Sequence, residues 1–467
     1  MTLTGLQQWQ DYGWAILIGL AIGVVSLLSP LLALGLMLAA IFALSALRRP
    51  MLIPYTAVAN ASFLVGMQRG QLIPLFIPNE PLLLGLLGLA FMVVMAWSST
   101  VRYRGEILFA LGVFVIGTSF LPLMAYFGRR FPLGTADLFS LLAPAQYLIT
   151  FWIFSQIPRN DAERHRIVQF MLLCASIVAV IGLMQAANIP FVTSLLRQWY
   201  PSPHESAALS LGRVTSVLGA WNSLGNYLMI VLLLIVATQS YPRSRLATAN
   251  TLAALILCTM CLLASGSYAS LFGLGFGVMV IKIFFDRRGL KALLILGFLL
   301  TIISAFLLQD QIAERLNYQF RDSGIIPQTL AYRFTVWQNI FFPILERNLV
   351  WGVSPTLTGR VTWEWAENHY LYLLFRSGLI SLLAHLAFVA LMLRWAYRYI
   401  REGSDLARML AIALLTIMIS LTIMGFTNEV FTSSGAIDFM WMIIGLIAGS
   451  QLREKESPVY AVHPLRA

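Results

Sequence analysis

Charge is scarce in this chain of 467 residues. Asp, Glu, Lys and Arg make up only 11% of it, and lysine is confined to Lys282, Lys291 and Lys455. An average soluble domain carries about 25% charged residues, so a string of soluble domains is excluded. Cysteine is limited to Cys174, Cys258 and Cys261, all inside apolar runs, which excludes a disulfide scaffold. Cys258 and Cys261 have CxxC spacing, but no second pair accompanies them, and they read as small core residues. No GxxxxGK[ST] motif is present. The net charge of +11 rests almost wholly on arginine, spread through short segments between apolar runs, so no nucleic-acid partner is expected.

What fills the chain is apolar. Residues of the AVILMFWYC set account for 59% of it, and the mean hydropathy is +0.80. Apolar runs of roughly 16–22 residues recur from end to end, about the length needed to cross a bilayer as a helix. In lipid the backbone must satisfy its own hydrogen bonds, so such runs predict helices. The fold class is therefore an all-α polytopic membrane protein of about twelve to fourteen transmembrane helices. Candidate spans are 11–29, 31–47, 51–66, 81–98, 106–126, 138–156, 167–187, 215–238, 246–264, 268–285, 291–308, 369–396, 408–424 and 436–451. The first run is followed at once by a second, with neither a basic leader nor a small-residue cleavage pattern, and reads as a retained helix.

Orientation follows from arginine. With both termini cytoplasmic, the inner loops hold Arg48/Arg49, Arg102/Arg104, Arg159/Arg164/Arg166, Arg243/Arg245, Arg287/Arg288 and Arg394/Arg398/Arg401, whereas the outer loops are poor in them. The chain divides into N-terminal helices (1–187), central helices with Arg213 at their mouth (188–308), a long outer loop (309–368), C-terminal helices (369–451) and a cytoplasmic tail (452–467). No inner loop has room for a nucleotide-binding module. Chemistry at the outer face of a bacterial membrane lacks ATP, so an activated donor must carry its own energy, or the protein transports.

Within the long loop, residues 330–342 predict an amphipathic helix. Leu330, Phe334, Trp337, Ile340 and Phe341 share one stripe with Arg333 among them, Thr335, Gln338 and Asn339 take the other side, and Pro343 ends the helix. Arg333 fits either a stem snorkelling to a lipid headgroup or a guanidinium aimed at a bound phosphate. The loop ends in Glu364, Glu367, Asn368 and His369, with Arg376 and His385 deeper in the following span. Ionisable groups at such depth mark functional sites. His369 and Arg376 share a helix face, and a helix beginning at Glu367 would point that carboxylate away from His369. His385 reads as a hydrogen-bonded core histidine. Arg213 stands before Thr215, Ser216, Asn222, Ser223 and Asn226, a polar start to a span that suggests a cavity behind it. Ser265-Gly266-Ser267 is a tight turn.

Three of these features together resemble the O-antigen ligase/polymerase family of bacterial membrane glycosyltransferases. They are Arg213 with Gly219-Ala-Trp-Asn222 and Tyr227-Leu228; Arg333-Phe-Thr-Val-Trp337 followed by Gly352-Val-Ser354; and Glu367-Asn368-His369-Tyr370-Leu371 followed by Gly378-Leu379. The family's usual histidine slot holds Glu367, with His369 two residues on, and its acidic position holds Arg376. The arginine that commonly follows the serine near 265 is missing.

The resemblance implies a glycan donor linked to undecaprenyl diphosphate, a glycan or lipid acceptor, and contact with membrane lipids. The site would face the periplasm, in the bacterial inner membrane. Arg213, Arg333 and Arg376 would stabilise the diphosphate leaving group, and Glu367 or His369 would take the acceptor's proton. Asn368, Tyr370 and Trp337 would touch sugar. Neither metal nor cofactor is expected, since no acidic pair or histidine cluster has ligand spacing. The leading expectation is an inverting polymerase of glycan repeat units. The alternatives are an O-antigen ligase acting on lipid A core or protein, and a membrane transporter or flippase.

Overall fold

The computed structural model describes residues 30–71, 76–97, 103–129, 134–201, 213–239, 248–285, 313, 317, 328–357, 366–432 and 435–454. The candidate spans 11–29 and 291–308, and Glu364, lie outside the described residues. Every regular element among the described residues is helical. In chain order these are α1 (Pro30–Arg48), α2 (Leu52–Phe63), α3 (Asn79–Ala96), α4 (Gly105–Val115), α5 (Leu121–Arg129), α6 (Thr135–Gln156), α7 (Asp161–Ala186) and α8 (Pro190–Trp199). There follow α9 (Trp221–Gln239), α10 (Thr248–Ser265), α11 (Tyr268–Phe284), α12 (Gln328–Val336), α13 (Phe342–Glu346), α14 (His369–Glu402), α15 (Asp405–Met424) and α16 (Ala436–Glu454).

Seven helices among the described residues are long and apolar enough to cross a membrane: Asn79–Ala96, Gly105–Met124, Asp137–Gln156, Asp161–Ala186, Trp221–Thr238, His369–Glu402 and Asp405–Met424. Four shorter apolar helices accompany them, Met37–Arg48, Ala249–Ser265, Tyr268–Phe284 and Ala436–Ser450. The chain is an α-helical, membrane-embedded protein. The 51–66 run departs from expectation: its helix, α2, has only 12 residues, about 18 Å at 1.5 Å per residue, against a hydrocarbon core of about 30 Å. Polar Asn60 and Ser62 are buried there, Asn60 donating to the Asn79 carbonyl at 3.3 Å and Ser62 bonded to the Tyr227 hydroxyl at 3.0 Å.

The centre of the bundle is α9 and α15. In their most apolar stretches 83% and 78% of residues are buried, against 28% along Gly105–Met124, whose side chains face outward. Small residues let neighbours approach closely. On α16, a Cβ added at Gly445 or Gly449 would come within 2.6 Å of the Phe151 carbonyl oxygen and 2.5 Å of the Ser155 carbonyl oxygen on α6. Cys258 and Cys261 are fully buried in the core, and Cys174 nearly so. The helix α14 runs 34 residues but is not continuous. Ser377 (φ −152°, ψ 20°) and Gly378 (φ 69°, ψ −163°) leave helical geometry and break it.

Candidate functional site

The segment that follows α12 carries the first part of the site. A π-turn, Trp337–Phe341, joins α12 directly to α13, so Pro343 does not end the helix. Proline lacks an N–H and clashes with the carbonyl four residues back. The wider turn ahead of it accommodates that defect, and Pro343 falls within the first turn of α13. The extra residue also rotates the apolar face from the one expected. Val336, Trp337, Phe341 and Leu345 are buried with Leu357, Ala366 and Phe375, while Phe334 is turned outward.

This folded segment docks into the break in α14. The Phe375 carbonyl, released from its helical partner, accepts from the Val353 N–H at 2.5 Å, and the freed Leu379 N–H donates to the Leu349 carbonyl at 2.8 Å. Buried backbone groups must find partners, and here the incoming turn supplies them. Ser140 of α6 ties the same turn from the other side, its hydroxyl donating to the Pro355 carbonyl at 2.9 Å.

Where α14 begins, five residues from three segments meet. The Arg333 guanidinium pairs with the Glu367 carboxylate, both partly exposed. Glu367 holds φ at 48°, a left-handed conformation uncommon for a residue with a side chain. The backbone is kept there by Glu429, whose Oε1 accepts from the Ala366 N–H at 2.6 Å and the Glu367 N–H at 3.1 Å. Trp337 adds a third tie, its indole N–H donating to the Ala366 carbonyl at 2.7 Å. Desolvation pushes the Glu429 carboxyl up to about 7, overcoming the two N–H bonds that lower it, with the Glu367 charge raising it further. Glu429 was not foreseen from sequence. It lies in the short link between α15 and α16, and its only sequence signal is an acidic residue beside Asn428 between two apolar runs.

Asn368 and Tyr370 have structural work in this arrangement. Asn368 caps α14, its Oδ1 accepting from the Tyr370 and Leu371 N–H groups at 2.9 and 3.0 Å, while its amide donates to the Phe426 carbonyl at 3.0 Å. The Tyr370 hydroxyl donates to the Thr422 carbonyl. The helix starts at His369 rather than at Glu367 because Asn368 takes the capping position.

His369 and Arg376 share a face, as their spacing predicts, and that face turns inward. Both line a cavity of about 180 Å³ together with His385. The His369 and His385 rings are 4.8 Å apart, centroid to centroid. Neither ring nitrogen of His369, nor Nε2 of His385, has a hydrogen-bond partner. His385 is therefore no fully hydrogen-bonded core histidine: it faces a cavity rather than a neighbouring carbonyl. One Arg376 Nη donates to the Ser140 carbonyl at 2.7 Å. The site residues thus divide, with Arg333, Trp337, Glu367 and Asn368 gathered around Glu429, and His369 and Arg376 around the cavity.

Arg213 occupies a third position, its guanidinium 4.8 Å from the centre of the Trp221 ring at the head of α9. The polar residues behind it are tied into hydrogen bonds with neighbouring segments. The Ser267 hydroxyl donates to Asn222 and the Ser270 hydroxyl to Asn226, at 3.4 and 2.9 Å. Thr215 and Ser216 donate their N–H groups to Gln185 Oε1 at 3.1 and 2.8 Å. The α9 span begins at Trp221 rather than 215 because Ser216–Leu218 is a 3-10 turn ended by Gly219 at φ 72°. Gly266 (φ 62°) makes the expected tight turn before α11.

No group of three or more metal-ligating side chains occurs among the described residues. No protein-family model matches this chain. A comparison with curated proteins gives no match either.

Proposed function

We propose that this protein is a membrane glycosyltransferase that joins glycan repeat units carried on undecaprenyl diphosphate at the periplasmic face of a bacterial inner membrane. The observation that carries this reading is the Arg333–Glu367 pair, held on left-handed backbone by Glu429 and Trp337. A strained residue over-determined by its surroundings supports a functional role, and this one joins a phosphate-matching cation to a carboxylate base.

In this mechanism the acceptor hydroxyl oxygen attacks the anomeric carbon of the donor. A glycosidic C–O bond forms as the bond to the diphosphate oxygen breaks, and the electron pair leaves with the lipid diphosphate. The hydroxyl proton passes to Glu367, and the anomeric centre inverts. Arg333 strengthens its hold on the diphosphate as negative charge develops there. Donor binding then has a second effect: phosphate draws the guanidinium from Glu367 and leaves that carboxylate free as base. Glu429 positions the strained turn. Its two accepted backbone bonds hold Ala366 and Glu367 whether or not Arg333 has moved. Trp337 serves the same turn through its bond to the Ala366 carbonyl, and its buried ring is not offered to sugar.

Transport of the lipid-linked sugar is the second reading, favoured by the cavity between α6 and α14 with His369, His385 and Arg376 buried in its wall. A deletion strain complemented with wild type, Arg333→Ala or Glu367→Ala separates these readings. Single repeat units in place of long polymer, not restored by either variant present at normal level in the membrane, support the polymerase. Long polymer stranded on the lipid carrier identifies a ligase. Accumulation of donor on the cytoplasmic leaflet points to transport, and unchanged glycans in every strain overturn all three.

A further inference from the structure

The cavity between α4, α6, α14 and α16 is built unlike the surrounding lipid-facing core. Its walls are aromatic: Tyr147 stacks on Trp441 at 6.1 Å and 6° between planes, and Phe388 on Trp441 at 5.9 Å and 17°. Set into them are polar groups without partners: both nitrogens of His369, Nε2 of His385, Nε of Arg376 and Nε1 of Trp441. His369, His385 and Arg376 are each more than nine-tenths buried. Buried polar atoms left unmatched call for an explanation, because each has given up its hydrogen bonds to water without replacement.

Among the described residues the lining contains Arg376 and no Asp or Glu. That guanidinium has the Ser140 carbonyl at 2.7 Å, and the Tyr372 ring centre lies 6.0 Å away. A buried cation without a counter-charge is costly, and its planar fork matches a carboxylate. Imidazoles add both donors and acceptors, and flat aromatic walls suit the C–H faces of a ring. A water needs roughly 10–15 Å³ of volume open to its centre, so a cavity of about 180 Å³ has room for several waters and suits one small ring with its substituents.

We infer that this cavity is a binding site for a single acidic sugar unit, its carboxylate on Arg376, its hydroxyls on His369 and His385, and its ring against the aromatic wall. The site is read by binding alone and does not depend on glycosyl transfer.

The test is equilibrium binding to the full chain in lipid nanodiscs, using methyl β-glucuronide, methyl β-glucoside and inorganic phosphate as probes. The glucuronide is expected to bind at least ten-fold tighter than the glucoside and to quench Trp441 fluorescence, judged against a Trp441→Phe control. Arg376→Gln should remove that ten-fold advantage while leaving the weak glucoside binding in place. Met440→Trp, which fills the cavity from α16, should abolish binding of both sugars and keeps the test independent of Arg376 folding. Equal binding of glucuronide and glucoside, phosphate binding as tightly as glucuronide, or unchanged glucuronide binding in Met440→Trp would each overturn the assignment. Loss of polymer with intact glucuronide binding leaves it standing and bears only on the glycosyltransferase reading.

Discussion

Gly352 and Gly378 pack backbone against backbone, both in the left-handed region at φ 68° and 69°. A Cβ on Gly352 would lie 2.5 Å from the Gly378 nitrogen, and one on Gly378 would lie 2.1 Å from the Val350 carbonyl oxygen. The contact locks the segment carrying Arg333 to the helix that begins beside Glu367.

Gly378→Ala should therefore be among the most damaging single-methyl changes in the chain. At φ 69° and ψ −163° the backbone lies in a region essentially reserved for glycine, costing a side-chain residue about 1–3 kcal/mol, and relieving the overlap adds to it, for a total of about 3 kcal/mol or more. A thermal-aggregation midpoint in detergent measures this. Gly275, which has open space around the position of a Cβ, provides the control, and Gly275→Ala should shift the midpoint little.

Arg333→Ala and Glu367→Ala are expected to separate stability from activity. The pair is partly exposed, with side chains 21% and 34% accessible, and such pairs contribute about 1 kcal/mol or less to stability. Each variant should fold and insert normally. Transfer should fall by about 10²–10³, as removal of one charge-stabilising group in an active site does. A variant that loses its fold along with its activity would make the pair structural.

Glu429 predicts a pH dependence with a definite sign. Its carboxyl is raised from 4.5 to about 7 in the folded protein, so the folded state holds a proton that the unfolded state releases between those values. Its contribution to stability is fully present below pH 4.5, falls as pH rises to about 7, and is flat beyond. The size is on the order of 3 kcal/mol, at about 1.4 kcal/mol per pKa unit. In Glu429→Gln this slope should vanish from the thermal midpoint measured between pH 4.5 and 8.

Asn368→Ala removes the cap of α14 and should cost about 1 kcal/mol. Asn368→Asp keeps an oxygen acceptor for the Tyr370 and Leu371 N–H groups and should be milder. Comparing the two by thermal midpoint shows whether capping, rather than sugar contact, accounts for Asn368. Equal and large losses of transfer at unchanged stability would return it to a direct role.

Much of this was legible in the sequence, because apolar runs long enough for a bilayer leave the backbone little choice but helix. Twelve of the fourteen candidate spans fall on described helices, although α2 is too short to cross. Arg333 and Glu367 were legible as candidates, since charge is conspicuous in so apolar a chain. That they neutralise one another was not, because it depends on a docking between distant segments, fixed by the Gly352–Gly378 contact and the backbone bonds around it. Two features were hidden for local reasons. The π-turn at Trp337–Phe341 shifts the helical phase, which a fixed periodicity cannot anticipate. Glu429 acts through backbone N–H groups of Ala366 and Glu367, partners that carry no sequence signature. His385 was misread because a lone histidine on an apolar face looks the same whether it meets a carbonyl or a cavity.

The most direct test of the central claim is transfer by the purified protein in nanodiscs, supplied with an undecaprenyl-diphosphate-linked repeat unit and no nucleotide or added metal. Released undecaprenyl diphosphate and chain length are measured together. The account predicts one lipid diphosphate released for each linkage formed, with both signals lost in Arg333→Ala and Glu367→Ala. Chain growth at the wild-type rate in either variant, or no release of lipid diphosphate by the wild type, would contradict it.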